Sequence, residues 1–560
     1  MWFTIFDVKK VARDREEAKF DKETIKNLEV GRKIVEYFVQ NKIPIYGVNT
    51  GLGTLVNVLI PEKDAVELQY NLIRTHAAGV GKYFSDEEVR AIMFARLISL
   101  AKGCSGISLE VFDTLRNMLN KGIIPLIPEK GSLGASGDLA PLAHMALGVI
   151  GEGKCYYRNA IHDVKNAMEK EGLKPAKLSY KDGLALINGT SAMTGISCLT
   201  LYDAYNIFAH SLVSVSMALL ALHASKTPFD LEGNAKKEHP AQKLVAGIVM
   251  ALIEESNMVR DEREIIKKIK EEYEGNKIKI VSEFLQDAYT LRAIPQVFGA
   301  ILTTLWHVHD VVESELNSSS DNPLVYVNKH GNYDVFHGAN FHGQHVAFYM
   351  DYLSIAMTQL SNFLERQINR LLNHHLNKGL PQFLIKGTPG LNCGFEGAQY
   401  IATSLAAENR ILSTPASINN IPSNEDNQDI VSMGLHAAIK ARNIVKNTLT
   451  ILAIHMAASY QALHLREKPE YILGHPISYA YHIISERIKP YTDNVIFSEY
   501  IKKFESLITS EKILRSIGNY FKTNQKSEHA KIFNRFFEEY IRGHTTTRIK
   551  RPQSSLIEES

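Results

Sequence analysis

The sequence predicts a mainly α-helical protein, a bundle of long helices with a smaller mixed α/β part at its N-terminal end. Two observations carry this reading. After about residue 195 come four long stretches, and in the last of them apolar residues recur at three and four spacing for most of its length, the pattern of a helix with a buried stripe. Before that point, helical runs are interrupted by glycine-rich connections and short β-like pieces. Helices of such length bury their stripes against one another, which makes a bundle.

Taken in order, the N-terminal part spans 1–195 and includes IPIYGV (43–48), read as a short strand. The bundle spans 196–480, with long helices expected at 195–225, 285–317, 345–374 and 427–465. A C-terminal helical segment and tail fill 481–560, and the tail after about residue 543 reads as weakly ordered or partner-stabilised. Residues 204–224 are uncharged for about the 20 residues a bilayer crossing needs. Asn206, His210, Ser211, Ser214 and Ser216 within them assign this segment to the inside of the bundle instead. The connections NSSSDNPL (317–324), NKGLPQF (377–383) and STPASINNIPSNED (413–426) are irregular and polar, the kind of loop that carries sites on a rigid scaffold.

The 560 residues are 45% hydrophobic and 22% charged, enough for a sizeable core; length alone allows several domains or one large helical subunit. A formal net charge of +2 removes nucleic acid as a default partner. Cys104, Cys155, Cys198 and Cys393 lie far apart without metal-like spacing, which fits a reducing cytoplasm. The opening MWFTIFDVKKVARDREEAKF has too short an apolar stretch and too many acidic residues for a signal peptide. No membrane partner is expected.

The stretch GSLGASGDLAPLA (131–143) is unusually bare of side chains. A tight turn before a helix, with Asp138 as N-cap and Pro141 in the first turn, explains those two residues. It leaves the crowding of small residues around Ser136 unexplained, since one glycine suffices for most turns. A nucleophile elbow with Ser136, as in a serine hydrolase, fails because Asp138 replaces the last glycine of GxSxG and no β-branched strand precedes it. Peptide chemistry offers a third reading. A backbone nitrogen attacks the carbonyl two residues earlier only in a pinched chain, and glycine as attacker with alanine as target minimises the clash. Closing Gly137 onto Ala135, with water also lost from Ser136, makes a 4-methylidene-imidazol-5-one (MIO) with an electrophilic exocyclic carbon.

Here the chain resembles the aromatic amino acid ammonia-lyases and 2,3-aminomutases, which form MIO from Ala-Ser-Gly. The resemblance covers roughly 35–480, through YGVNTGLG (46–53), GSLGASGDLAPLAH (131–144), LINGTSAM (186–193), QDAYTLRAIPQ (286–296), SSDNPL (319–324), GANFHGQ (338–344) and NQDIVSMG (427–434). It implies the ammonia-lyase type of helical bundle, a homotetramer with shared active sites, and autocatalytic MIO formation from Ala135, Ser136 and Gly137. The implied reaction takes ammonia and a β-hydrogen from a small aromatic L-amino acid, with the amine captured at residue 136 and a base at the β-carbon.

By the same resemblance Tyr46 is the base, with Gly53 in the lid around it. A dinucleotide fingerprint at Gly51-Leu52-Gly53 fails because Val56 stands where the third glycine belongs. Tyr289 contacts the amine and the prosthetic group. Arg292, three residues on and on the same helical face, clamps the carboxylate. Asn188 and Gln286 sit beside the prosthetic group and the carboxylate, Asn340 joins that polar shell, and Phe341 packs against the ring. His337, His342 and His345 suggest a metal, but no acidic residue lies between them and the chemistry already has its electrophile, so none is expected.

Two positions bear on the substrate. Gln428 stands where histidine lyases typically carry glutamate, which argues against an imidazole ring. His76, in RTHAAGVG, is found in histidine lyases and in some tyrosine-acting members, and a neutral histidine can bond a phenol hydroxyl. Tyrosine, giving p-coumarate, satisfies both; histidine and phenylalanine remain alternatives, as does a 2,3-aminomutase using the same residues. A non-enzymatic helical scaffold is the remaining rival.

Overall fold

A computed structural model of the chain describes residues 1–273, 275, 277–466, 476–492, 495–524 and 527–540. The tail expected to be weakly ordered, after about residue 543, lies outside them. Helices dominate and strands are few and short, as the sequence predicts. The four long helices are Ser191–Ala221, Ile294–Leu316, Gln344–Leu372 and Gly434–Leu465.

Two of these begin later than expected. The stretch foreseen as 285–317 breaks after a single turn, Tyr289–Arg292, and resumes at Ile294 with Pro295 in its first turn, where a missing N–H costs nothing. The stretch foreseen as 427–465 starts only at Gly434, because Met433 takes a left-handed φ of 53°. IPIYGV is a turn rather than a strand. Asn49 occupies its backbone, accepting from Ile45 N–H at 2.7 Å and donating to the Ile43 carbonyl at 2.9 Å, so a local side chain replaces a ladder.

The described chain divides into two compact units. The first comprises 1–203, 304–355 and 411–445. It holds three small antiparallel sheets: Val80–Tyr83 with Pro128–Lys130, then Ile124–Pro125, Lys154–Tyr157 and Ala160–Asp163, then the hairpin Leu324–Val327 and Tyr333–Phe336. That hairpin is an element the sequence reading omits. Helix starts here follow local rules: Thr4 with Asp7 and Ser85 with Glu88 each form a reciprocal capping box. Arg13 holds Asp203 with two bonds of 2.6 and 2.7 Å, and Arg442 reaches the same carboxylate, tying the first helix to distant parts of the unit.

The second unit, 204–303, 356–410 and 446–560, is helical among the described residues. Several of its buried polar groups are paired at close range. Ser211 and Ser216 donate to carbonyls four residues back, and the Ser214 hydroxyl meets His455 Nδ1 at 2.6 Å. Ser191–Ala221 is, among the described residues, the one helix long and apolar enough to cross a membrane, and its most apolar window is wholly buried.

His210 and His455 are fully buried, and burial holds their pKa values down to about 4 and about 3. A depressed folded pKa gives stability that is present above the unfolded value of about 6.5 and lost as pH falls through the window below it. Between pH 6.5 and 4 each histidine is therefore expected to remove about 1.4 kcal/mol of stability per pH unit. Thermal midpoints measured across this range for the wild type and His210→Gln check it: the variant should show the shallower decline.

Candidate active site

The small-residue stretch sits in the first unit, between the strand Pro128–Lys130 and the helix Leu139–Val149. Its backbone doubles back so that Gly134 and Ala135 both pair with Gly137. Gly137 has a φ of 72°, and a Cβ there would stand 2.2 Å from the carbonyl oxygen of Gly189, so nothing but glycine fits. Asp138 occupies the N-cap position, yet its side chain makes no bond to its own helix. It caps another: Oδ2 accepts from Met193 N–H at 2.7 Å, at the start of Ser191–Ala221, and Oδ1 accepts from the Ser132 hydroxyl at 3.0 Å. Burial pushes this carboxyl up to about 7 against the pull of those hydrogen bonds. The local-cap expectation is thereby corrected: Asp138 ties the stretch to a remote helix.

Two amides hold Ser136. Asn188, 4% exposed at the end of the helix Asp182–Ile187, donates Nδ2–H to the Ser136 carbonyl oxygen at 3.1 Å. Its Oδ1 accepts from Asn322 N–H at 2.8 Å, which fixes which end of the amide faces Ser136. Gln428 donates Nε2–H to the Ser136 hydroxyl at 3.1 Å, while its Oε1 accepts from Ser423 at 3.2 Å. The hydroxyl's neighbour is thus an amide that cannot take a proton, unlike the base of a serine hydrolase.

These residues fit an MIO. The chain is pinched at the Ala135–Gly137 closure, and the Ser136 carbonyl oxygen, which would become the ring oxygen, already has a donor. Gln428 lies on a turn closed by paired backbone bonds between Ser423 and Gln428, with Asn424, Glu425 and Asp426 all at left-handed φ. Each such residue costs roughly 1–2 kcal/mol, a strain kept only where surroundings enforce it.

Tyr46 joins the same neighbourhood. Its hydroxyl oxygen accepts from Gly53 N–H at 2.8 Å, and a Cβ on Gly53 would lie 2.2 Å from Asn424 Nδ2, so the loops carrying Tyr46 and Gln428 touch. Tyr46 N–H donates to His337 Nε2 at 3.3 Å; burial and the Lys181 charge lower the His337 pKa, which suits a neutral acceptor. His76 ends the helix Glu62–His76, which packs on Leu139–Val149. Its Nδ1 bonds the Leu72 carbonyl at 2.9 Å. A carbonyl only accepts, so Nδ1 carries a proton, and in the neutral ring Nε2 is left as the acceptor.

The remaining expected residues make contacts of other kinds. The Asn340 amide donates to the Ser319 carbonyl at 3.5 Å rather than to Ser136, and Phe341 is half-buried on the same loop. Gln286, Tyr289 and Arg292 belong to the second unit. There the Arg292 guanidinium lies over the Tyr289 ring, 4.7 Å from its centre, and Tyr289 is 72% exposed. Sequence reasoning missed Lys181, Asp321 and Asn322, although a Lys-Asp pair opening the apolar run GLALI was a visible signal of charge at a buried helix start.

Residues 3–486 match the family described as aromatic amino acid lyase. The chain is 44% identical over 464 residues to the MIO-dependent tyrosine 2,3-aminomutase of Streptomyces globisporus, covering 82% of this chain and 85% of that one. It is 46% identical over 457 residues to the tyrosine ammonia-lyase of Cupriavidus metallidurans, covering 81% and 85%. The crystal structure of tyrosine aminomutase from Streptomyces globisporus aligns with a TM-score of 0.88 at 39% identity, over 92% of this chain and 97% of that one. With its small-residue closure, its Ser136 amides and these likenesses, the chain belongs to the aromatic amino acid lyase family, enzymes acting at a carbon–nitrogen bond.

Proposed function

We propose that this enzyme eliminates ammonia from L-tyrosine to give trans-p-coumarate, at an MIO made from its own Ala135, Ser136 and Gly137. The observation that carries the reading is Ser136 held between Asn188 on its carbonyl oxygen and Gln428 on its hydroxyl. The group, once formed, supplies an electrophilic carbon that no free side chain offers. Asn188 keeps an uncharged donor on the oxygen where negative charge is best stabilised. Tyr46, its oxygen fixed by Gly53, takes the β-hydrogen, and Asn340 and Phe341 complete the walls. In the shared sites of a homotetramer, Arg292 and Gln286 brought by other subunits hold the carboxylate and Tyr289 the amine.

Tyrosine is favoured by His76, whose locked Nδ1 leaves Nε2 to accept from a phenol hydroxyl. Leaving that acceptor buried and unpaired beside a phenyl ring costs about 1–3 kcal/mol. His76→Phe is therefore expected to shift the ratio of kcat/KM for tyrosine over phenylalanine toward phenylalanine by about 5- to 150-fold. An unchanged ratio would remove the phenol bond from the account.

A second reading, tyrosine 2,3-aminomutase, is favoured by the name of the Streptomyces relative, and it uses the same residues. Incubation with L-tyrosine, L-histidine and L-phenylalanine separately, following arylacrylate absorbance and β-amino acid by chromatography, divides the readings. Coumarate alone supports the lyase, β-tyrosine the mutase, and urocanate alone overturns the use of Gln428. We further propose a cytoplasmic homotetramer with shared sites. All four cysteines are free, and Phe348, Tyr352 and Ile355 make an exposed apolar stripe at four and three spacing on one helix.

A further inference from the structure

Lys181 and Asp321 form an ion pair at 2.8 Å with both side chains wholly buried. For stability alone a buried pair is a poor choice, since apolar residues of similar volume usually serve as well or better. Lys181 also takes a left-handed φ of 66° that its side chain makes costly. What the pair joins is informative. Lys181 precedes the helix Asp182–Ile187, and Asn188 follows it. Asp321 precedes Asn322, whose backbone N–H is shared between Asp321 Oδ1 at 2.7 Å and Asn188 Oδ1 at 2.8 Å. Lys181 binds the other carboxylate oxygen, Oδ2. The ion pair therefore closes a ring: from Lys181 along six helical residues to Asn188, across to Asn322, and back through Asp321. Asp182 pins the helix start independently, accepting from Ser108 and Ser179 N–H at 2.8 and 2.7 Å.

We propose that Lys181 and Asp321 are positioning residues that aim the Asn188 amide at the Ser136 carbonyl oxygen. The proposal rests on the function given above for that oxygen. With the pair intact, Asn322 N–H stands where it donates to the Asn188 amide oxygen, which leaves the NH2 facing Ser136. Without it, the 320–322 corner keeps its bonds to Ser99, Thr190 and Gly338 but loses its tie to the start of the Asn188 helix, and a displacement near 1 Å at a catalytic contact costs about 100-fold in rate.

The test compares Asp321→Asn, Lys181→Met, the apolar double variant Lys181→Met/Asp321→Leu, and Asn188→Ala as reference, all as full chains. Intact mass gives the fraction of chains that have lost two waters, and kcat is expressed per cyclised chain. In Asp321→Asn and Lys181→Met, kcat is expected to fall about 100-fold while KM moves no more than about threefold. The near-ultraviolet band of the cyclised chain should move in the same direction as in Asn188→Ala. Combining Asp321→Asn with Asn188→Ala should add no further loss, because both remove one contact. The apolar double variant keeps the fold by thermal melting yet stays slow. Wild-type kcat and band position in either single variant would overturn the proposal, as would losses that multiply with Asn188→Ala, or full recovery of kcat in the apolar double variant. An unshifted mass in the wild type would instead overturn the reading of Ser136 itself, so the two failures are separable.

Discussion

Ser136→Ala is expected to lower turnover by at least about 10⁴-fold, near 5.4 kcal/mol of barrier at 1.36 kcal/mol per decade, without unfolding the chain. The substitution removes one oxygen from a site where the backbone keeps its contacts. Asn188 bonds the carbonyl of residue 136, not its side chain, and Asp138 still caps Ser191–Ala221 through Met193 N–H. Only the Gln428 bond to the hydroxyl is lost. What disappears is the second dehydration, since alanine has no hydroxyl to lose and no exocyclic electrophile can form. Intact mass should show that the deficit of two waters expected for the wild type is not reached, and thermal melting should stay close to wild type. Retained turnover in this variant would end the proposed chemistry, and a fluorophosphonate-reactive Ser136 in the wild type would point to a hydrolase instead.

Tyr46→Phe separates the base from the electrophile. It deletes the oxygen that accepts from Gly53 N–H and leaves the Ser136 contacts untouched. The mass deficit should therefore match the wild type, while kcat falls by about 10² to 10⁴, the range for removing a positioned general base. KM should change little if the ring is held by His76 and the carboxylate by Arg292. A wild-type rate in Tyr46→Phe would assign the β-hydrogen to another group. Together the two variants give a signature, one with neither the full two-water deficit nor turnover and one with the full deficit but little turnover, that a destabilised fold does not mimic.

Much of the architecture is legible in the sequence because helix length and buried stripes are properties of one segment. The four long helices follow from apolar content and spacing, and the errors cluster where a short-range competitor intervenes. Asn49 bonds its neighbours' backbone and turns IPIYGV away from a strand; Met433 at positive φ delays a helix whose apolar spacing continues in both directions. The site is legible in part. The bareness of Ala135, Ser136 and Gly137 is itself chemical information, since backbone closure depends on small residues wherever the stretch lies. The pairing of Lys181 with Asp321 is not visible that way, as the two stand 140 residues apart in the chain.

By itself, then, the sequence determined a helical protein with a segment bare enough for the proposed backbone closure, because periodicity and side-chain size act within a few residues of chain. Only the tertiary structure decided what surrounds that segment. Asn188 meets Ser136 across 52 residues and Gln428 meets it across 292, and Asp138 serves a helix other than its own. Such contacts depend on how every intervening element packs, and no local pattern encodes which amide or carboxylate a distant turn will deliver.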